Sequence, residues 1–280
     1  MKAVRIELLE PDATFATPTS KADVFSYLMP PPSTIIGMAH KLCRYTSYHP
    51  MNVSVFNTES YVNHHFSYEH RWFIGEFANL TEDNKKRWPY IGIRPDGRFE
   101  GRTMSPKHIE HVTDLHLIIH IVPEDQEEIE HIYSSFKNPI EYPSLGNHHD
   151  LVDIKEVKIV DISEESKIIK FDGLALRKAE HVITFPVESK ENEFEFEYID
   201  NNDNKKAIIS NTEDEYKYIS NLLLFDIETT VYKLHKDYKI VGKFRRFNDH
   251  LCMLYNGCRI GDAYFVNEQC DEDGKPVFLI

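Results

Sequence analysis

Within the first 162 residues the hydrophobic period changes from about two to about 3.6 and back, twice over, which limits the architectures open to this chain. KAVRIELLE places Val4, Ile6 and Leu8 on one face, as in a half-buried strand. Pro30, Pro31 and Pro32 then stiffen the chain, and Ser33 stands where a helix N-cap is expected. Ile35, Ile36, Ala39, Leu42 and Cys43 fall on one helical stripe, with Gly37, His40, Lys41 and Arg44 opposite. MNVSVFNT alternates again through Met51, Val53 and Val55. Beyond an irregular stretch at 60–112, DLHLIIHIV alternates through Leu115, Leu117, Ile119 and Ile121. Pro123 opens a second helix with acidic residues in its first turn and an apolar stripe of Ile129, Ile132, Tyr133 and Phe136. LVDIKEVKIVDI reads as a fourth strand.

This order predicts an α+β fold: a ferredoxin-like (RRM-like, βαββαβ) palm over 1–162, interrupted by an insertion at about 60–112. Residues 163–280 read as a β-rich C-terminal domain of short strands, among them KIIKFDG, HVITFPV, FEFEYI and AYFVNE, with one helix near 213–230.

Gly37 costs its helix roughly 1 kcal/mol relative to alanine. It suits a close neighbour, which is either another backbone of this protein or an anionic ligand drawn to the helix N-terminus.

The formal net charge of −14 argues against a surface coated in basic residues for nonspecific nucleic-acid binding. Charge is uneven, however. Acid gathers in EDQEEIE and ESKENEFEFEYIDNNDN, and base gathers ahead of both in NKKRWPYIGIRPDGRFEGRTMSPKH. Cys43, Cys252, Cys258 and Cys270 show neither a paired framework nor ligand spacing, which suggests a reduced, cytoplasmic setting without a zinc site. No run is long and apolar enough to span a membrane, and the N-terminus reads as a strand rather than a signal peptide.

Catalytic and cofactor motifs are sparse. His64-His65, His108 with Glu110 and His111, His116 with His120, and His148-His149 match no metal-ligand spacing, so neither metal nor cofactor is expected. A Gly-rich phosphate loop and a nucleophile elbow are absent. The third palm strand offers His116, Ile118 and His120 away from the core, which is not a base-stacking sheet of the usual kind. The insertion is richer: Tyr61, Phe66, Tyr68, Trp72, Phe73, Trp88, Tyr90 and Phe99 interleave with basic residues, and Asp96-Gly97 signals a hairpin. Aromatic and basic residues together suit a nucleic acid, and they equally suit an excursion that folds back on its domain.

SYLMPPPSTIIGMAHKLCRYTSY resembles the signature of CRISPR-associated protein family five, a subunit of the Cascade surveillance complex that carries the crRNA 5′ handle. Ala13, Phe15, Pro18 and Ser20 match that family's early loop, and YPSLGNHHDLVDI resembles its glycine loop; the style is closest to the type I-B branch. The resemblance covers residues 1 to about 162. It implies a palm of the RAMP superfamily with the insertion as a hairpin thumb, and one copy per complex capping the backbone-subunit filament beside the large subunit. Its implied partners are crRNA and target DNA near the protospacer-adjacent end, with no membrane. The RNA-binding residues it implies are Ser20, Lys21, Ser33, Thr34, Gly37, Lys41, Arg44, Tyr45, Arg94, Arg98, Arg102, Lys107, His108, Gly146 and Asn147. Such a subunit is non-catalytic. The alternative is a metal-independent endoribonuclease, as in type I-C relatives, using Tyr45, Lys107 and His108.

Overall fold

The computed structural model describes residues 1–18, 23–178, 194–199, 205–210, 230–241, 244–260 and 263–280. The expected HVITFPV strand and almost all of the expected 213–230 helix lie outside the described residues.

Strand β1 (Lys2–Ala13) is paired on both sides within a sheet. A short ribbon of β2 (Phe15–Ala16) and β3 (Ser26–Tyr27) follows, then helix α1 (Pro32–Leu42) and strand β4 (Met51–Asn57). Strand β5 (Asn63–Phe77), helix α2 (Glu82–Arg87) and strand β6 (Tyr90–Ile93) make up the insertion. The 25-residue strand β7 (Phe99–Pro123) returns from it, and helix α3 (Ile129–Lys137) and strand β8 (Asp153–Asp161) complete the pattern. The sheet order β8-β1-β7-β4 is antiparallel throughout.

One face of this sheet is covered by the helices. Val4, Ile6 and Leu8 of β1, Val53 and Val55 of β4, and Leu117, Ile119 and Ile121 of β7 share a core with Ile35, Ala39 and Leu42 of α1 and Ile132 and Phe136 of α3. A fully buried aliphatic side chain contributes about 1.5–3 kcal/mol, so the central strands anchor the domain.

Helix α1 starts one residue before the expected cap. Pro31 is the N-cap, Pro32 opens the helix, and Ser33 lies inside the first turn without any side-chain capping bond at this end. Proline wins the position because its fixed φ is already helical and its missing N–H would have gone unpaired there.

The strands after residue 162 do not all stand apart from the first sheet. Strands β9 (Lys167–Lys170), β10 (Leu174–Lys178), β11 (Phe194–Ile199), β12 (Lys205–Ser210), β13 (Thr230–Val241), β14 (Phe244–Tyr255), β15 (Cys258–Ile260), β16 (Ala263–Cys270) and β17 (Pro276–Val277) divide between two sheets. β10, β14 and β13 extend the first sheet beyond β4, while β12-β11-β9-β16-β15, with β17 on β16, forms the second. Phe171, Val266 and Phe278 pack on Phe56 and Ile118, and Val277 packs on Ala3, Val122 and Val160. The second palm face is thus covered as well, which accounts for the absence of stacking aromatics on β7.

A buried ion network joins the two layers. The Arg5 guanidinium, 4% exposed, donates to Asp271 Oδ2 at 2.8 Å, Asp273 Oδ2 at 2.7 Å and Glu156 Oε2 at 2.8 Å. His120 Nε2 lies 3.2 Å from Asp271 Oδ2, and Asp271 Oδ1 accepts from the amides of Asp273 and Lys275.

Glu10 of β1 is fully buried, and neither carboxylate oxygen has a hydrogen-bond partner. Burial, reinforced by Asp150 and Asp12, pushes its pKa up to about 9. The folded state therefore holds a proton that the unfolded chain releases above pH 4.5, and stability falls as pH rises from there toward 9. Glu10→Met is expected to stabilise the protein by about 2 kcal/mol at pH 8 and to flatten that decline. Thermal melts of both proteins from pH 5 to 9 measure it, and parallel curves would refute the assignment.

Candidate nucleic-acid interface

The outward side of α1 is the first element. Thr34, Gly37, Lys41 and Arg44 follow one another at helical spacing; Gly37, Lys41 and Arg44 are exposed and Thr34 is half-buried. A Cβ built on Gly37 meets nothing within 4 Å, so no internal neighbour requires a glycine there. Arg44 adopts φ 54°. It stands just past the helix end, where Arg44 N donates to the Lys41 carbonyl at 3.2 Å and Tyr45 N to the His40 carbonyl at 3.0 Å. That is the position where helices favour glycine. Alanine would serve α1 better at 37 and glycine would serve it better at 44, yet the sequence has the reverse. Lys41 lies 3.5 Å from Glu141, an exposed and weak pair.

The second element is the arm. β5 pairs with β7 along its entire length, from Asn63↔Thr113 to Phe77↔Phe99, so its 15 residues reach about 50 Å from the palm. At the far end β6 adds to β7, from Tyr90↔Arg102 to Ile93↔Phe99. The Asp96-Gly97 turn forms as the sequence predicts, with Gly97 at φ 82° and Asp96 Oδ1 accepting from Arg98 N at 3.1 Å. Arg94 pairs with Glu76, and Arg102 pairs with Glu100 at 2.6 Å. Arg98 is exposed on the turn and makes no ion pair among the described residues. Lys85, Lys86 and Arg87 make up the last turn of α2.

Trp88 has a structural role there. Gly75 and Gly101 sit opposite each other, and a Cβ on either would come within 2.4 Å of the indole, so the ring lies flat on a glycine pair. The exposed aromatics of the arm include Phe66 and Tyr68.

At the arm's root Asp114 of β7 has φ 56°. Lys107 and His108 lie on this part of β7. His108 Nδ1 is 3.1 Å from Asp23 Oδ1, and the amide and ring of His108 hold the Asp23 carboxyl below its usual range. Val24 N donates to the His108 carbonyl at 2.8 Å, so the early loop runs along the root. Ser20 and Lys21 of that loop lie outside the described residues.

Tyr45 is elsewhere. Its ring stacks on His49 at 3.8 Å, and its hydroxyl donates to Glu128 Oε2 at 3.1 Å. Burial first, then Cys43 and Glu128, push that phenol well above its normal value, so it keeps its proton. Glu128 follows the end of β7 at Pro123, whereas His108 is 123 − 108 = 15 residues back along the strand, about 50 Å. Tyr45 therefore does not join Lys107 and His108 in one site.

Gly146 and Asn147 belong to a latched turn. Gly146 has φ 115°, and a Cβ there would meet Asp150 Oδ2 at 2.8 Å. The buried Asp150 carboxylate accepts from Thr14 N at 3.2 Å, Asn147 N at 2.9 Å and Asn147 Nδ2 at 3.0 Å. The Asn147 amide is thereby turned inward, and its visible role is to fasten the turn to the end of β1.

The fold also assembles a group that sequence spacing leaves apart. His65 and His111 face each other across β5 and β7 with stacked rings 4.9 Å apart, and Asp12 Oδ1 lies 2.8 Å from His111 Nδ1.

No protein-family model matches this sequence, and no curated protein matches it. Solved structures give distant likenesses, CRISPR proteins among them. A chain of a "CRISPR RNA-guided surveillance complex" aligns at TM-score 0.46 and 10% identity over 98% of this chain and 92% of its own. A CRISPR protein from Archaeoglobus fulgidus aligns at TM-score 0.36 and 12% identity over 100% of this chain and 98% of its own. A chain of a Type III-B Cmr-beta complex, bound to cognate target RNA and AMPPnP, aligns at TM-score 0.32 and 12% identity, covering 91% and 86%. Among the described residues no helix is long and apolar enough to cross a membrane.

Proposed function

We propose that this chain is a non-catalytic crRNA-binding subunit of a type I Cascade-like complex, of the type I-B style of CRISPR-associated family five. In this reading the palm is a ferredoxin-like RAMP domain, the arm is its thumb, and α1 is the hook for the crRNA 5′ handle. Strand order β8-β1-β7-β4 with helices on one face supports the palm assignment. The observation that carries the RNA reading is the outward side of α1, which gives up stability at both Gly37 and Arg44 while facing open space. A glycine with room around it lets a backbone phosphate approach closely, and Lys41 and Arg44 supply cations beside it. The acidic remainder of the surface suits local rather than general nucleic-acid binding. Backbone and large subunits, and target DNA near the protospacer-adjacent end, are the partners this reading assigns. The residues of the nuclease alternative are not gathered, and Tyr45 is held protonated, which supports the non-catalytic assignment.

Gly37→Leu tests the hook. The isolated variant is expected to melt within about 2 °C of wild type, because its side chain projects into open space. RNA retention after co-expression with the cognate CRISPR RNA and partner subunits is expected to fall at least about tenfold, the scale of one lost close approach. The wild-type protein, incubated with repeat RNA without metal, is expected to leave it uncut. Full retention by the variant would remove α1 from the interface, and a specific cut would make the protein a processing enzyme.

A further inference from the structure

We propose that Asp12, His65 and His111 bind one divalent transition-metal ion of the zinc class at the root of the arm. The three side chains come from three strands, and their ligand atoms all lie within 4.8 Å of one another. Zinc holds nitrogen and oxygen ligands at 2.0–2.2 Å, which sets neighbouring ligand atoms about 3.4 Å apart. His65 and Asp12 are exposed, so rotation of these two side chains closes the difference without moving a strand.

His111 is already oriented. It is the least exposed of the three, and Ser67 Oγ lies 2.7 Å from its Nε2. When Nε2–H donates to Ser67, the Nδ1 lone pair faces Asp12 Oδ1 at 2.8 Å. Two acceptors so close require a proton or a cation between them. A ligating histidine usually donates its far N–H to a fixed acceptor, and the Ser67 hydroxyl oxygen stands in that place here. Two imidazoles and one carboxylate favour zinc, nickel or copper over magnesium and calcium, which prefer all-oxygen sites. Three protein ligands leave a fourth position to water.

The position gives the ion a consequence. Asp12 belongs to β1, whereas His65 and His111 belong to the two arm strands, close to their first pair, Asn63↔Thr113. A bound ion ties β1 to both arm strands where the β5 pairing begins and thereby fixes the arm's direction. This inference is independent of the RNA reading.

Isothermal titration of the full chain with zinc chloride, and separately with magnesium chloride, tests it. One zinc per chain is expected, with magnesium binding at least tenfold weaker. His65→Ala and Asp12→Asn should each weaken zinc at least tenfold, and Ser67→Ala by roughly tenfold. The replaced residues at 65 and 12 are exposed, so unchanged thermal melts without metal are expected to confirm folding. His64→Ala and the His148→Ala/His149→Ala double variant should bind as wild type does. Zinc should also slow amide exchange in residues 65–67 and 111–113 at least tenfold. Unchanged affinity in the His65→Ala/Asp12→Asn double variant, loss confined to the 148/149 variant, or no zinc binding would overturn the site. Binding without slowed exchange would overturn its role in holding the arm.

Discussion

Asp271→Ala is expected to cost about 3 kcal/mol, the largest stability loss among the single changes considered. Breaking a buried ion pair by removing one partner typically costs 3–5 kcal/mol, because the remaining charge is stranded. Arg5 keeps Glu156 and Asp273, which places the loss at the lower end. The variant also strands the His120 Nε2–H and two backbone amides of the Asp271–Lys275 turn. The thermal midpoint should fall by roughly 10 °C at pH 7.5. Asp273→Ala, on the exposed rim of the same network, should cost far less. Equal losses for the two variants would show that the network does not join the layers.

The same residues set an acid limit. Burial alone would raise Asp271, but hydrogen bonds from His120, Arg5 and the Lys275 amide hold it well below the usual carboxylate range. Its contribution is present above the unfolded value of 3.8 and is lost as pH falls below that. His120 is shifted down from 6.5, chiefly by burial, so it is neutral in the fold. Unfolding then takes up a proton at His120 as pH drops below 6.5, so the contribution of this group declines there and offsets the gain that Glu10 brings over the same range.

What could be read from the sequence follows the range of the forces involved. The palm strands and both helices were legible because one buried face leaves a periodic trace, as Val4, Ile6 and Leu8 show. The Asp96-Gly97 turn was legible because φ above zero selects glycine locally. The start of α1 was misread at Ser33 because a proline at the first position competes with a side-chain cap, and a single sequence does not rank the two. Cover for Ile118 and His120 was invisible, since Phe171, Val266 and Asp271 lie far along the chain in strands with no clear period. The meeting of His65, His111 and Asp12 depends on the register of a 15-residue hairpin, which local pattern does not fix. Gly37 was visible as an anomaly, and only the empty space around it separates an outward role from an inward one.

The second large effect is expected at the arm. Replacing Arg94, Arg98 and Arg102 together with alanine should leave the melting temperature within about 2 °C of wild type, since surface pairs are worth about 0–1 kcal/mol each. Nucleic-acid retention should fall at least about tenfold. Each phosphate neutralised on a single strand contributes about 0.7 to the slope of log affinity against log salt. Three contacts would therefore remove about 2 from that slope, but the arginines are not equivalent. Arg94 and Arg102 already face Glu76 and Glu100 and must exchange a carboxylate for a phosphate, which reduces their share. Arg98, on the tight turn without an ion pair among the described residues, carries its full charge to a ligand. Arg98→Ala alone should thus remove about 0.7 of the slope and the greatest single part of the affinity. Titrations of a labelled RNA or DNA strand at 50, 100 and 200 mM salt separate these contributions. A triple variant with an unchanged slope, or one that unfolds, would mean that the arm holds its own tip together rather than a nucleic acid.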